Sequence, residues 1–140
     1  MPQPLASHVR RMWAVIAVGA LVLGFAALAG EQVEEKQQGR QRAIAMTHGD
    51  PDIGRELIQQ HGCGGCHQIP GVPQARGKVG PPLSGIAGRA YIAGRLRNSP
   101  QNLMRWVDDP KSVDPRTAMP DTGVNSAEAR DITAYLYTLQ

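Results

Sequence analysis

The chain has 140 residues, which is enough for one small domain and an N-terminal appendage. One Phe, two Trp and three Tyr are few large side chains for a core of this size, and sixteen Gly and eleven Pro predict long irregular connections. A large rigid group at the centre of the domain would account for both features. The formal net charge is only +3 and the sequence has no recognisable nucleic-acid-binding motif, so we exclude nucleic acid as a partner.

The N-terminal part contains a candidate membrane span. Residues 12–30 carry no charge, and a helix of this length, rising about 1.5 Å per residue, nearly spans the ~30 Å hydrocarbon core. Two arginines precede the span and three glutamates follow it, so we expect residues 1–11 in the cytoplasm of a bacterium and the residues after the span in the periplasm. Cleavage between Ala29 and Gly30 stays open, because small residues there resemble a signal-peptide site. The length of the span and Trp13, at the expected membrane interface, favour a retained inner-membrane anchor.

Residues 31–49 are polar and mixed in charge, so we expect a polar tether that is helical in part. Residues 50–140 are predicted to form the exported domain. Three helices are predicted there, because an N-cap residue precedes an apolar face of helical spacing three times. The start signals are Asp50-Pro51, Ser99-Pro100, and Asn125 or Ser126. No stretch alternates well enough to predict a sheet, so the fold class is all-α.

Cys63-Gly64-Gly65-Cys66-His67 is the strongest chemical signal in the sequence. In a CxxCH motif each thiol bonds one vinyl group of a haem, and the adjacent histidine reaches the iron. A thioredoxin-like pair would need a βαβ context, and zinc would need a second ligand pair. A disulfide across two residues would stabilise little, because the gain grows with loop length. The motif therefore predicts one haem c, covalent through Cys63 and Cys66, with His67 as an iron ligand.

A second axial ligand is expected for an electron carrier, and Met119 is the best candidate. It is followed by Pro120, and nearby prolines stiffen its segment so that the thioether is held at little entropic cost. Met104 lies in a predicted helix, where packing in the core explains it. His61 is too close to the attachment site to reach the opposite face. His48, in the tether, remains an alternative.

With these residues in hand, residues 50–140 resemble a monohaem class I cytochrome c of the membrane-anchored bacterial type. Gly54 resembles the glycine that lets the last helix cross the first one closely at an aromatic residue, here Tyr135. Gly80-Pro81-Pro82-Leu83 resembles the family's Gly-Pro-x-Leu loop. The resemblance implies that the Pro81 carbonyl accepts the Nδ1 proton of His67, which fixes the ring.

The same resemblance extends to the segment that ends at Met119. Trp106 falls where the family often has an aromatic residue near the sulfur, and packing in the core explains it equally well. Two positions depart from the family's pattern. Ile58 stands where an aromatic residue is common, and Gly62 is an extra residue before the first cysteine.

We therefore predict one-electron transfer by a haem c with His/Met ligation. The chain is expected to be no enzyme by itself and to have no small-molecule substrate. It would serve as a membrane-tethered carrier or as a redox subunit, donating to a terminal oxidase or accepting from a quinol-oxidising complex. Residues 76–105 carry basic and no acidic side chains and would steer an acidic partner. The alternatives are a haem enzyme or gas sensor with an open sixth position, and a haem-free thiol module.

Overall fold

The computed structural model describes residues 5–140, so the first four residues of the predicted cytoplasmic segment lie outside the described part. The chain divides into two compact units, Met1–Gln37 and Gln38–Gln140. Helix α1 (Leu5–Thr47) begins in the first unit and ends in the second. Each unit is considered by itself.

The described part of the first unit is helical and apolar over the predicted span. Large apolar side chains are exposed along it, among them Leu21 at 74% and Phe25 at 77%. Within His8–Thr47 the helix is long and apolar enough to cross a membrane. Exposed apolar surface on every side of a helix suits lipid better than water. The predicted N-terminal transmembrane helix is thus confirmed as a candidate span.

The last turns of α1 belong to the second unit, which differs from the tether expected over residues 31–49. Gly39, Ala43 and Thr47 are buried, and their spacing of four places them on one face of the helix. The Arg40 guanidinium on another face forms two hydrogen bonds, of 2.8 and 3.0 Å, with the Asp52 carboxylate. The buried side chains are small, so the hydrophobic pattern of the sequence did not indicate that this stretch packs against the domain.

The three predicted helices of the domain are confirmed. Helix α2 spans Pro51–Gln60, α3 spans Pro100–Asp108 and α5 spans Ser126–Tyr137, and a short helix α4 spans Pro110–Val113. A polar side chain caps each predicted start and accepts a backbone N–H of the first turn. Two 3₁₀ turns lie between α2 and α3, at Cys63–Gly65 and Ile86–Gly88. The predominantly helical architecture agrees with the predicted fold class.

Helices α2 and α5 cross at Gly54, as the resemblance implied, but the contact lies one turn before Tyr135. A Cβ added to Gly54 would lie 2.9 Å from the backbone N of Ile132 and would overlap the carbonyl oxygen of Asp131. Only hydrogen at this position allows the two backbones to approach so closely. Ile58, Leu103 and Ile132 are almost completely buried and form the centre of the core.

One small sheet is present although none was predicted. Strands β1 (Tyr91–Ile92) and β2 (Leu96–Arg97) pair antiparallel, with Ile92 opposite Leu96. The turn between them holds Ala93 and Gly94 at positive φ. Strands of two residues are too short to show an alternating pattern, which is why the sequence did not reveal them.

Candidate functional site

The two cysteines lie where α2 ends. His61 caps α2, Gly62 follows with a φ of 69°, and the 3₁₀ turn at Cys63–Gly65 then begins. The positive φ reverses the chain at a residue where glycine costs little. The backbone N–H of His67 donates to the carbonyl of Cys63 at 3.0 Å, which closes a compact loop around both thiols. The thiols are free and half-buried, so the structure presents them as separate nucleophiles rather than as a disulfide.

A second loop packs against this motif and was not anticipated. The backbone N–H of Gly77 donates to the Gly64 carbonyl at 3.0 Å. A Cβ on Gly64 would lie 2.8 Å from the Cα of Ala75, and one on Gly77 would overlap the chain at Gly65 and Cys66. Contact of this closeness explains Gly64 in the motif and Gly77 in the loop, because a side chain at either position would force the two segments apart.

The His67 ring is oriented by the loop that follows. Its Nδ1 lies 2.8 Å from the carbonyl oxygen of Pro81. A Cβ on Gly80 would lie 2.6 Å from Nδ1 and 2.8 Å from Nε2, so the ring lies flat against this glycine. The loop itself is held because the Arg89 guanidinium donates to the carbonyls of Pro82 and Ser84. With Nδ1–H donating to a carbonyl, the imidazole keeps the lone pair of Nε2 for a metal ion.

An apolar cavity of about 350 Å³ lies beside the histidine. Its walls come from α2, α3, α5, strand β1, the loop that contains Pro81 and the segment that contains Met119. All six residues predicted for the site line it: Cys63, Cys66, His67, Pro81, Trp106 and Met119. Buried aliphatic side chains of the core, including Ile58, Leu103 and Ile132, complete the wall. A cavity of this size and character falls in the range of small-molecule and cofactor sites.

The residues present fit a haem. A planar apolar macrocycle needs an apolar enclosure, two free thiols at its edge and an imidazole whose Nε2 is available, and this cavity provides all three. Burial raises the pKa of the Cys63 thiol, which keeps it protonated at neutral pH.

Met119 lies in a segment between α4 and α5 and is half-buried. Its backbone N–H donates to Thr117 Oγ1 at 3.2 Å. Trp106 of α3 lines the same cavity. The alternative ligands are placed differently: Met104 packs against the core and His48 is exposed, and neither belongs to the cavity wall.

Two long-range contacts were not predicted from the sequence. His61, set aside as too close to the attachment site, lines the cavity and contacts the segment of Met119 through Thr122. The Tyr135 hydroxyl donates to the carbonyl of Pro70 at 2.6 Å and so ties α5 to the loop after the CxxCH motif. The two bonds join residues 61 and 65 positions apart, and a local pattern carries no signal for them.

Comparison with known proteins agrees with this geometry. The family model described as Cytochrome c matches residues 51–140. Two similar curated proteins are both named Cytochrome c oxidase subunit 2. The one from Alkalihalophilus pseudofirmus is 34% identical over 90 residues, which cover 62% of this chain and 25% of the relative. The one from Bacillus sp. strain PS3 is 35% identical over 89 residues, which cover 61% and 25%. The chain thus spans about a quarter of the length of these relatives.

Proposed function

Because this chain belongs to the cytochrome c family, we propose that it transfers single electrons through one haem c bound covalently by Cys63 and Cys66. His67 and Met119 would be the axial ligands. The observation that carries the proposal is that both thiols, the imidazole and the thioether line one apolar cavity. When bound, the haem supplies a one-electron couple between ferric and ferrous iron.

The chain's own residues would tune that couple. The Pro81 carbonyl fixes the tautomer of His67 through the 2.8 Å contact and raises the basicity of the imidazole. A thioether ligand favours ferrous iron and raises the potential relative to a second nitrogen ligand. The apolar wall, to which Trp106 contributes, excludes water and disfavours the additional charge of ferric haem.

We propose that the protein works at a bacterial inner membrane, with the cytochrome unit in the periplasm and α1 as its anchor. The similar proteins named as oxidase subunits support a place in a respiratory chain. The chain would donate to a terminal oxidase or accept from a quinol-oxidising complex, either as a tethered carrier or as a lasting subunit.

The basic side chains of residues 76–105 would steer an acidic partner, but they are not equivalent. Arg95 forms an ion pair of 3.1 Å with Asp114, which reduces its contribution to the external field. Arg97 is exposed, and no acidic partner of its side chain appears among the ion pairs of the described residues. Arg97 is therefore the better candidate for an encounter with an acidic surface.

The test begins with the native protein from the membrane fraction. Mass spectrometry after denaturation should show the chain plus one haem, because thioether bonds survive unfolding. The ferric form should show the weak far-red absorption band of methionine bonded to haem iron. A chain of unmodified mass would reject the covalent cofactor.

The distal ligand is tested by Met119→Ala. Loss of the thioether should abolish the far-red band, open the iron to carbon monoxide in the reduced form and lower the potential, because ferrous iron loses its soft ligand. Met104→Ala is the matched control, since that methionine packs against the core outside the cavity wall. Carbon monoxide binding to the unmodified protein would instead favour a haem enzyme or gas sensor with an open sixth position.

A further inference from the structure

His61 contacts two parts of the domain that come later in the chain. Its Nδ1 lies 3.0 Å from the carbonyl oxygen of Thr122, and its Nε2 lies 3.4 Å from a carboxylate oxygen of Glu128. The side chain is only 17% exposed and lines the cavity. We propose that His61 is a positioning residue that holds the methionine segment, residues 117–122, so that Met119 stays at the iron. This inference rests on the function proposed above.

The methionine segment has few other points of attachment. Among the described residues, hydrogen bonds to other parts of the chain reach the segment only at its two ends, apart from one local bond in which the backbone N–H of the next residue, Gly123, donates to the Asp121 carboxylate at 2.8 Å. At Thr117 the backbone N–H donates to the Asp114 carbonyl, and the carbonyl accepts from Lys111 Nζ. At Thr122 the carbonyl accepts from His61. Met119 lies between these ends, so freeing one end would let the thioether leave the cavity.

His61 itself is held at the end of α2. His61 directly follows α2, and its backbone N–H donates to the Leu57 carbonyl at 2.9 Å. Glu128 belongs to the first turn of α5, where its carboxylate also accepts the backbone N–H of Asn125 at 2.9 Å. His61 therefore connects the Thr122 end of the segment to the end of α2, and α2 packs against α5.

A matched pair of substitutions separates the hydrogen bond from the shape of the side chain. His61→Asn places an amide N–H the same number of bonds from Cα as Nδ1 and can still donate to Thr122. His61→Leu has nearly the shape of asparagine but no donor. His48→Asn is the control for losing a histidine, because His48 is exposed and lies outside the cavity wall.

The experiment is titration of the full-length ferric holoprotein with imidazole, followed by loss of the far-red band. Imidazole must displace the thioether, so its apparent affinity rises with the fraction of molecules whose segment is open. A hydrogen bond of about 0.5–1.5 kcal/mol corresponds to a roughly two- to tenfold change. His61→Leu should bind imidazole about two- to tenfold more tightly, while His61→Asn and His48→Asn should match the unmodified protein.

Equal imidazole affinity of the leucine variant and the unmodified protein would overturn the inference. So would equal affinities of the leucine and asparagine variants, because shape and not the donor would then matter. If His61→Leu fails to accumulate, His61→Ala takes its place in both comparisons, since it too has no donor. Absence of the far-red band from the unmodified protein is a different result: it rejects Met119 as a ligand and hence the proposed distal site itself.

Discussion

Gly80→Ala is the most direct test of how the fold holds the His67 ring. Gly80 is not one of the glycines with a positive φ, so alanine meets no backbone strain there. The added Cβ would instead lie 2.6 Å from Nδ1 of His67. The glycine cannot easily retreat, because its N–H donates to the Cys66 carbonyl at 2.9 Å and a proline follows on its other side. The imidazole ring must therefore rotate.

Rotation has two costs. Forcing one methyl group into a packed site costs about 1–3 kcal/mol. Breaking the bond from Nδ1–H of His67 to the Pro81 carbonyl costs about 0.5–1.5 kcal/mol more. Together they predict a loss of roughly 2–4 kcal/mol in the free energy of unfolding. For a unit of this size each kcal/mol lowers Tm by about 4–8 °C, so we expect a fall of roughly 8–30 °C.

Thermal unfolding followed by haem absorbance measures this fall, and equilibrium redox titration accompanies it. The potential of Gly80→Ala should rise, because an imidazole without its Nδ1 acceptor is a weaker donor to ferric iron. Gly88→Ala is the matched control, because a Cβ there meets nothing within 4 Å. Its free energy of unfolding should change by no more than about 1 kcal/mol, and its Tm should change correspondingly little. If Gly80→Ala and Gly88→Ala unfold at the same temperature and have the same potential, the proposed clamping of His67 is refuted.

Three further predictions concern stability and encounter. Gly54→Ala should lower the free energy of unfolding by about 1–3 kcal/mol, because its Cβ overlaps α5. Gly39→Ala is the control: its Cβ would lie 3.4 Å from its nearest neighbour, so it should raise the free energy of unfolding by up to about 1 kcal/mol through helix propensity. Denaturant unfolding compares the two variants, and equal stabilities would contradict the close crossing. Burial raises the pKa of Tyr135, so the folded state keeps a proton that the unfolded state releases, and stability should fall as pH rises above about 10. Tyr135→Phe should lower the free energy of unfolding by about 0.5–1.5 kcal/mol at neutral pH, but its stability should fall less steeply than that of the unmodified protein above about pH 10. The remaining slope is due to Tyr137, whose pKa is also raised by burial. An unaltered slope would exclude Tyr135 as a source of the pH dependence. Arg97→Ser should slow electron transfer to an acidic partner by roughly 1.5- to 5-fold at low salt and not at high salt, and a stopped-flow rate without salt-dependent difference would reject steering by this residue.

The sequence predicted those features that are encoded locally. An N-cap residue followed by apolar residues of helical spacing is a signal that spans only one or two turns of helix. Helices α2, α3 and α5 begin at the residues that carry this signal. The all-α class followed from such signals, the cytochrome c family followed from the resemblance of several separated motifs, and both are confirmed. The hairpin at Tyr91–Ile92 escaped because two residues per strand carry no period.

The end of α1 escaped for a different physical reason. Gly39, Ala43 and Thr47 bury little apolar surface each, so the stretch reads as polar although one face of it is covered. Packing of this face rests on contacts between small side chains, which contribute little to a hydrophobic pattern. Small residues at a spacing of four are the only sign of this packing that the sequence offers.

The two proposed axial ligands show where local signals end. CxxCH places His67 next to its thiols, but what orients the ring is the carbonyl of Pro81, 14 residues away. On the opposite side the carbonyl of Thr122 meets His61 across 61 residues. In both cases a histidine Nδ1 meets a backbone carbonyl in a loop without regular structure, and a carbonyl belongs to every residue, so no residue type marks the acceptor. If both contacts act as proposed, the proximal and distal sides of the haem are held by the same device, and the asymmetry between the two ligands lies in what each histidine does: His67 binds the metal itself, while His61 acts through the segment that carries Met119.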